Sequence, residues 1–217
     1  MTVSSSLIHP IQAQSFAIID QEIGPHSWSP AEYEIIRRVI HSTADFEFTQ
    51  LMAWSPTAIE SGIDALRHRV PIITDVGMVA QGIRRLVGQT FKNPIICALE
   101  QVPAPLPGKT WTETGMWQCW QKFPTAIFVI GNAPTALLAL CQGIQETLIL
   151  PAPLLPSLII GVPVGFVSVV ESKATLAQVP VPQIRVEGRK GGSAVAAAIL
   201  NALIILAWER EMAENRH

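Results

Sequence analysis

Apolar residues in this chain collect in short runs rather than in long periodic stretches. Five runs, Pro71–Thr74, Pro94–Ala98, Ala126–Ile130, Leu158–Ile160 and Gln183–Val186, have the length and branched content of buried strands. Each is followed by a Gly, Pro or polar turn and then by a segment with helical spacing. Strands that alternate with helices join through right-handed crossovers, which makes neighbouring strands parallel and puts helices on both faces. The pattern predicts a single three-layer α/β/α domain spanning residues 1–217, with a five-stranded, mainly parallel, Rossmann-like sheet.

One helix is signalled before the first of these strands. Ser29-Pro30-Ala31-Glu32 offers an N-cap Ser, Pro at the first helical position and Glu at the third, a capping box that satisfies two orphan backbone donors. At 100° per residue, Ile35, Ile36, Val39, Ile40 and Phe46 fall on one arc and Arg38, His41 and Asp45 on the other. On residue type alone, that polar stripe reads as a solvated face. A second, long helix is expected from Ala194 to Trp208.

Composition then raises a membrane question. Hydrophobic letters make up 49% of the 217 residues, charged letters only 15%, and the net charge is −2. Between Lys122 and Glu171 the only charge is Glu146, which leaves uncharged runs of 23 and 24 residues. Pro124, Gly131, Pro134 and Gly143 interrupt the first, and four prolines and two glycines from Pro151 to Gly165 punctuate the second. A spanning helix needs about 20 continuous apolar residues. The pieces between breakers have strand length instead, and Met1–Ile8 is too polar for a secretory core. The reading is a cytoplasmic protein with no membrane partner. Cys97, Cys119 and Cys141 lack metal-ligand spacing and read as reduced core thiols, and the balanced charge disfavours nucleic acid.

Ligands of open parallel sheets sit at the carboxyl ends of the strands. The loops expected there are Asp75–Met78, Gly131–Thr135, Gly161–Phe166 and Gly188–Ser193. Glycines in them let backbone amides approach a ligand. The last loop feeds the long helix, whose N-terminus, with Arg189 and Lys190, suits an anion. No nucleotide fingerprint is present: G-x-G-x-x-G is missing, and no Lys-Ser/Thr pair follows the last Gly of the fourth loop.

These loops are also motifs. His41-Ser42-Thr43-Ala44-Asp45-Phe46-Glu47, Ile73-Thr74-Asp75-Val76-Gly77-Met78-Val79, Val129 to Leu137, Gly161 to Val167 with Glu171-Ser172-Lys173, and Gly188 to Ser193 stand in the order and spacing of precorrin-8X methylmutases, which the chain resembles from about Ser15 to Ala202. The resemblance implies a homodimer of the cobalamin pathway that moves a methyl group of the corrin ring from C-11 to C-12. Its substrate would be precorrin-8X or cobalt-precorrin-8, and its product, held tightly, hydrogenobyrinate or cobyrinate. The migration is a formal [1,5]-sigmatropic shift and implies no cofactor. The family's catalytic histidine corresponds to His41, and its substrate-contacting serine and arginine to Ser15 and Arg38.

The implied chemistry suits these residue types. Protonating a ring nitrogen makes the conjugated system electron-poor at the acceptor carbon, and His is the side chain with a near-neutral pKa for that task. Asp45 is expected to favour the imidazolium by proximity. Arg189, Lys190 and the backbone of Gly131, Asn132, Gly165, Gly191, Gly192 and Ser193 are expected to grip the substrate's carboxylates. One departure stands out: the family commonly carries an Arg near Thr112–Met116, and this chain has none. That absence keeps open a non-catalytic corrinoid carrier that delivers the product to the next enzyme.

Overall fold

In the computed structural model, residues 9–215 are described. The expectation placed on Met1–Ile8 lies outside the described residues. Helices α1 (Pro10–Ile23), α2 (Pro30–Thr43) and α3 (Phe48–Leu51) lead into strand β1 (Met52–Trp54). Then follow α4 (Ala58–Arg67), β2 (Ile72–Thr74), α5 (Gly77–Gln89) and β3 (Ile95–Cys97). The second half runs α6 (Trp111–Lys122), β4 (Ile127–Ile130), α7 (Pro134–Thr147), β5 (Leu158–Gly161), α8 (Val169–Ala177), β6 (Gln183–Val186) and α9 (Ser193–Glu214).

The sheet order is β1-β6-β5-β4-β2-β3, with every pair parallel except β1 with β6. The five expected strands are therefore present, and a sixth joins the edge antiparallel. Its three residues, Met-Ala-Trp, are half-buried and too short to show a period of two, so sequence pattern did not separate them from the turn around α3. The period of two does govern the central strands. Ile127, Val129, Leu158 and Ile160 face the layer of α2, α4, α5 and α9, while Phe128, Ile130 and Ile159 face that of α6, α7 and α8. Burial on both faces is why these strands read as uninterrupted apolar runs.

The charge-poor region is thus the middle of the sheet and its crossover α7. The longest apolar helix is α9, sufficient in length and composition to cross a membrane, yet it lies largely buried on β4 and β5 with α2, α4 and α5 around it. It runs one and a half turns past the expected Trp208 end, carried by Arg67 on Glu211 and Glu214 and by Arg210 on Glu60. The three cysteines are buried with free thiols.

Close approach sets the other layer. Gly115 in α6 lies against the 3-10 turn Ala98–Glu100, where an added Cβ would stand 2.0 Å from the Ala98 carbonyl oxygen. Backbone cannot yield as a side chain would, so Gly115→Ala should push α6 off this turn. Urea unfolding is expected to register a loss of about 3 kcal/mol; an unchanged midpoint would contradict the packing.

Candidate active site

The N-terminal hairpin of helices brings the first group together. Ser29 accepts from the Glu32 amide and Glu32 accepts from the Ser29 amide at 2.7 Å, so α2 starts where the capping box requires. Its apolar arc, Ile35, Ile36, Val39 and Ile40, is buried. The opposite arc is not simply solvated, because α1 lies against it. Phe16 of α1 packs edge-on to His41 with ring centroids 5.3 Å apart, and the Arg37 and Arg38 guanidinium carbons lie 4.4 and 5.5 Å from its centroid. Ser15, next to Phe16, donates to the Ile11 carbonyl at 3.1 Å.

Arg38 is only 9% exposed. Its Nη2 donates to Glu34 at 3.0 Å, but its Nε has no partner among the described residues. A buried, unpaired guanidinium N–H is costly, so it is a donor suited to an incoming acceptor. His41 itself is exposed, near the carboxyl end of α2.

Asp45 does not continue the stripe. The helix ends at Thr43, with Ala44 left-handed at φ 53°, and the chain turns away. Asp45 instead accepts from the Glu47 amide at 2.9 Å and from Lys190 Nζ at 2.5 Å, and Lys190 also meets Glu47 at 2.7 Å. The Lys190 hydrogen bond holds the Asp45 carboxyl below its ordinary range, with the Glu47 amide adding to the effect. Asp45 and Lys190 thus tie the end of α2 to the loop before α9. Helical spacing missed this because it assumed that the helix ran on.

The loops after β5 and β6 are knitted to each other. Gly192 N donates to Val162 O at 2.8 Å, and Gly165 N donates to Arg189 O at 3.3 Å. Gly191 has φ 151°, and a Cβ there would meet Val162 O at 2.2 Å, so only glycine fits. Arg189 is exposed, with its guanidinium carbon 5.5 Å from the Phe166 ring centroid. The N-terminus of α9, behind Gly192, has no side-chain cap.

The loop after β4 differs from its expected part. Asp75, fully buried at the end of β2, accepts from Val76 N and Gly131 N at 3.0 and 3.1 Å, and from Asn132 N and Ala133 N at 2.7 and 2.8 Å. Burial pushes its carboxyl up and the four donors pull against that. The amides of Gly131 and Asn132 are therefore committed inside the protein, leaving the exposed Asn132 side chain as that loop's free polar group. Gly131 is small for packing: an added Cβ would lie 2.9 Å from Ser193 Cα and 3.0 Å from Ala196 Cβ. The sequence did hint at Asp75, as a carboxylate directly after a fully apolar strand, but gave no sign of its partners.

Two groups result: His41 and Arg38 lie against Phe16 of α1 next to Ser15, and Asp45, Lys190, Arg189, Gly165 and Gly192 are joined through the Lys190 ion pairs and loop hydrogen bonds that also use the Gly165 and Gly192 amides internally. A cavity of about 230 Å³ lies elsewhere, lined by Leu106, Lys109, Trp117 and Gln142 among others. It is smaller than the roughly 300–1,000 Å³ of drug-sized ligand pockets. Phe166, Val167 and Met78 are 84%, 82% and 71% exposed, and Phe166 lies beside Arg189.

The sequence profile of the family described as precorrin-8X methylmutase matches residues 10–206. A cobalt-precorrin-8 methylmutase of Synechocystis sp. is 54% identical, with 93% of this chain and 97% of that protein aligned. The precorrin-8X methylmutase of a Sinorhizobium species is 36% identical over 89% of this chain and 92% of its own. Among solved structures, the Thermus thermophilus precorrin-8X methylmutase superposes with a TM-score of 0.82 at 41% identity, covering 92% of this chain and 98% of that one.

The Asp75 cluster and the Lys190 tie should differ sharply in weight. Asp75→Ala strands four backbone donors, and its unfolding free energy is expected to fall by about 3 kcal/mol or more. Lys190→Ala removes an exposed ion pair, and its midpoint should barely move. Denaturant titration of both variants checks the contrast.

Proposed function

Since the chain belongs to the precorrin-8X methylmutase family and is an isomerase of cobalamin biosynthesis, we propose that it moves the C-11 methyl group of cobalt-precorrin-8 to C-12 with His41 as the general acid. The observation that supports this assignment is the exposed His41 beside Arg38 and Phe16 at the end of α2, which the Asp45–Lys190 ion pair ties to the Arg189 loop. The cobalt-containing substrate is preferred because the relatives at 54% and 40% identity in Synechocystis sp. and Leptospira interrogans are both cobalt-precorrin-8 methylmutases.

In this reading the flat macrocycle lies on an open shelf. Arg38 Nε and the Ser15 hydroxyl meet it from the α1–α2 side, while Arg189, Asn132 and the uncapped start of α9 at Ser193 meet its carboxylates from the other. His41 donates a proton to a ring nitrogen, which draws electron density from the acceptor carbon. The methyl group then migrates within the ring, and the proton returns to His41, so the reaction is an isomerisation with no net change of atoms. Positioning a rigid ring against a fixed acid supplies much of the acceleration. Asp45 serves this by anchoring Lys190.

An open shelf leaves one face of a large ring in water. A second copy of the chain, seated on the apolar rim of Phe166 and Val167, would cover it and complete a homodimer. The non-catalytic carrier needs the anion grips but not an exposed acid, and the methylmutase relatives weigh against it.

Two measurements test the proposal. Incubation with cobalt-precorrin-8 should change the visible spectrum, faster than with metal-free precorrin-8X, and His41→Ala should lose at least about 100-fold in turnover while still binding the product. Turnover by His41→Ala at the wild-type rate would refute the acid assignment. For assembly, sedimentation should give a dimer that Phe166→Glu with Val167→Glu converts to monomer.

A further inference from the structure

Lys173, in α8, is a cation inside the protein. Its side chain is 1% exposed, and its Nζ donates to the Gly188 carbonyl at 2.8 Å and to the Lys190 carbonyl at 2.6 Å. Both acceptors belong to the loop that carries Arg189. Burying an ammonium is costly unless it is well partnered, and here the partners are backbone rather than a carboxylate. Burial pulls its pKa down to about 8, opposed by Glu187.

The neighbours leave Lys173 that single task. Glu187, after β6, is the carboxylate acting on it, and Glu187 is itself paired with Arg185 at 2.8 Å. On the loop, the Arg189 side chain leads away to Phe166 and that of Lys190 to Asp45 and Glu47. Glu171 of α8 is exposed.

The clamp sets the direction of the loop's other groups. All peptide bonds here are trans, and a trans peptide points its N–H opposite to its C=O. With the carbonyls of residues 188 and 190 turned to Lys173, the amides of Arg189 and Gly191 face away from it. Neither amide donates to a backbone acceptor among the described residues. The Arg189 carbonyl is fixed in turn by Gly165 N.

We propose that Lys173 is a positioning residue for substrate carboxylates: by holding the Gly188 and Lys190 carbonyls inward, it presents Arg189 and the adjoining amides outward to the ring's anionic side chains. This rests on the shelf reading above. Lys173 touches no substrate and takes no part in proton transfer, so its loss acts on binding rather than on the chemical step.

A double-mutant cycle on the full chain tests it, with cobalt-precorrin-8 turnover measured alongside thermal unfolding. Arg189→Ala and Lys173→Met should each raise KM by roughly tenfold and change kcat by less than about threefold. The double variant should be little worse than either single one, because both remove the same interaction. Effects that multiply to roughly a hundredfold would overturn the proposal. Trypsin cleavage after Lys190, read by mass spectrometry, should accelerate in Lys173→Met, and a loop as resistant as wild type would overturn it without reference to any substrate. Lys173→Arg, which keeps the cation, should restore both readouts in large part, and it carries the cycle if Lys173→Met does not fold. If Arg189→Ala alone leaves KM unchanged while Lys173→Met exposes the loop, the shelf reading fails and the substrate role of Lys173 falls with it.

Discussion

The burial of α9 constrains everything else. Eleven of its residues are buried, including the large aliphatics Val195, Ile199, Leu200, Leu203, Ile204 and Ile205, which together contribute on the order of 10 kcal/mol of hydrophobic stabilisation. A helix packed on β4 and β5 and wrapped by α2, α4 and α5 demands close approach from each side. Glycines supply it. A Cβ on Gly62 of α4 would meet Leu158 and Leu203, one on Gly82 of α5 would meet Ala197 at 2.8 Å, and Gly131 after β4 already lies against Ser193 and Ala196. The start of α9, and with it the loop that carries Arg189, is therefore fixed by the core rather than by the site.

Two buried charges then convert that fixed core into shaped loops. Asp75 gathers four amides and closes the turn after β4, and Lys173 gathers two carbonyls and shapes the turn before α9. One is an anion held by donors and the other a cation held by acceptors, each with backbone as its partner. Removing either leaves backbone groups unpaired in a dry interior, which is costlier than losing a surface pair such as Lys190 with Asp45. The exposed ion pairs adjust the loops, while the buried ions define them.

The layers and the five central strands were legible because strands buried on both faces leave continuous apolar runs between breakers. The start of α2 was legible because Ser29, Pro30 and Glu32 satisfy local donors. Its end was not: Ala44 in the left-handed region carries no residue-type signature, so Asp45 and Phe46 were projected onto a helix that had already stopped. The edge strand β1 escaped for want of length. Within the candidate site, Arg38 and His41 lie against Phe16 of α1, next in sequence to Ser15. The partners of Asp75 and Lys173 stayed hidden because their contacts are to backbone atoms, which sequence patterns do not distinguish.

These features fit the proposed open shelf better than an enclosed pocket. An enclosing lid needs a segment free to move, but the loops at this end are bound to one another at Gly165, Gly192, Asp75 and Lys173. A rigid, planar ring has little conformational freedom to lose, so rigid loops can meet its carboxylates with little further ordering on either side. What such loops cannot do is fold over the upper face of the ring. That requirement passes to the surface, where Phe166 and Val167 stand almost fully exposed on the segment tied to Arg189. On the proposed reading, the internal clamps that stiffen the anion grips leave the upper face of the ring to a covering partner, so the exposed Phe166 and Val167 and the buried Lys173 answer the same geometric demand on connected loops.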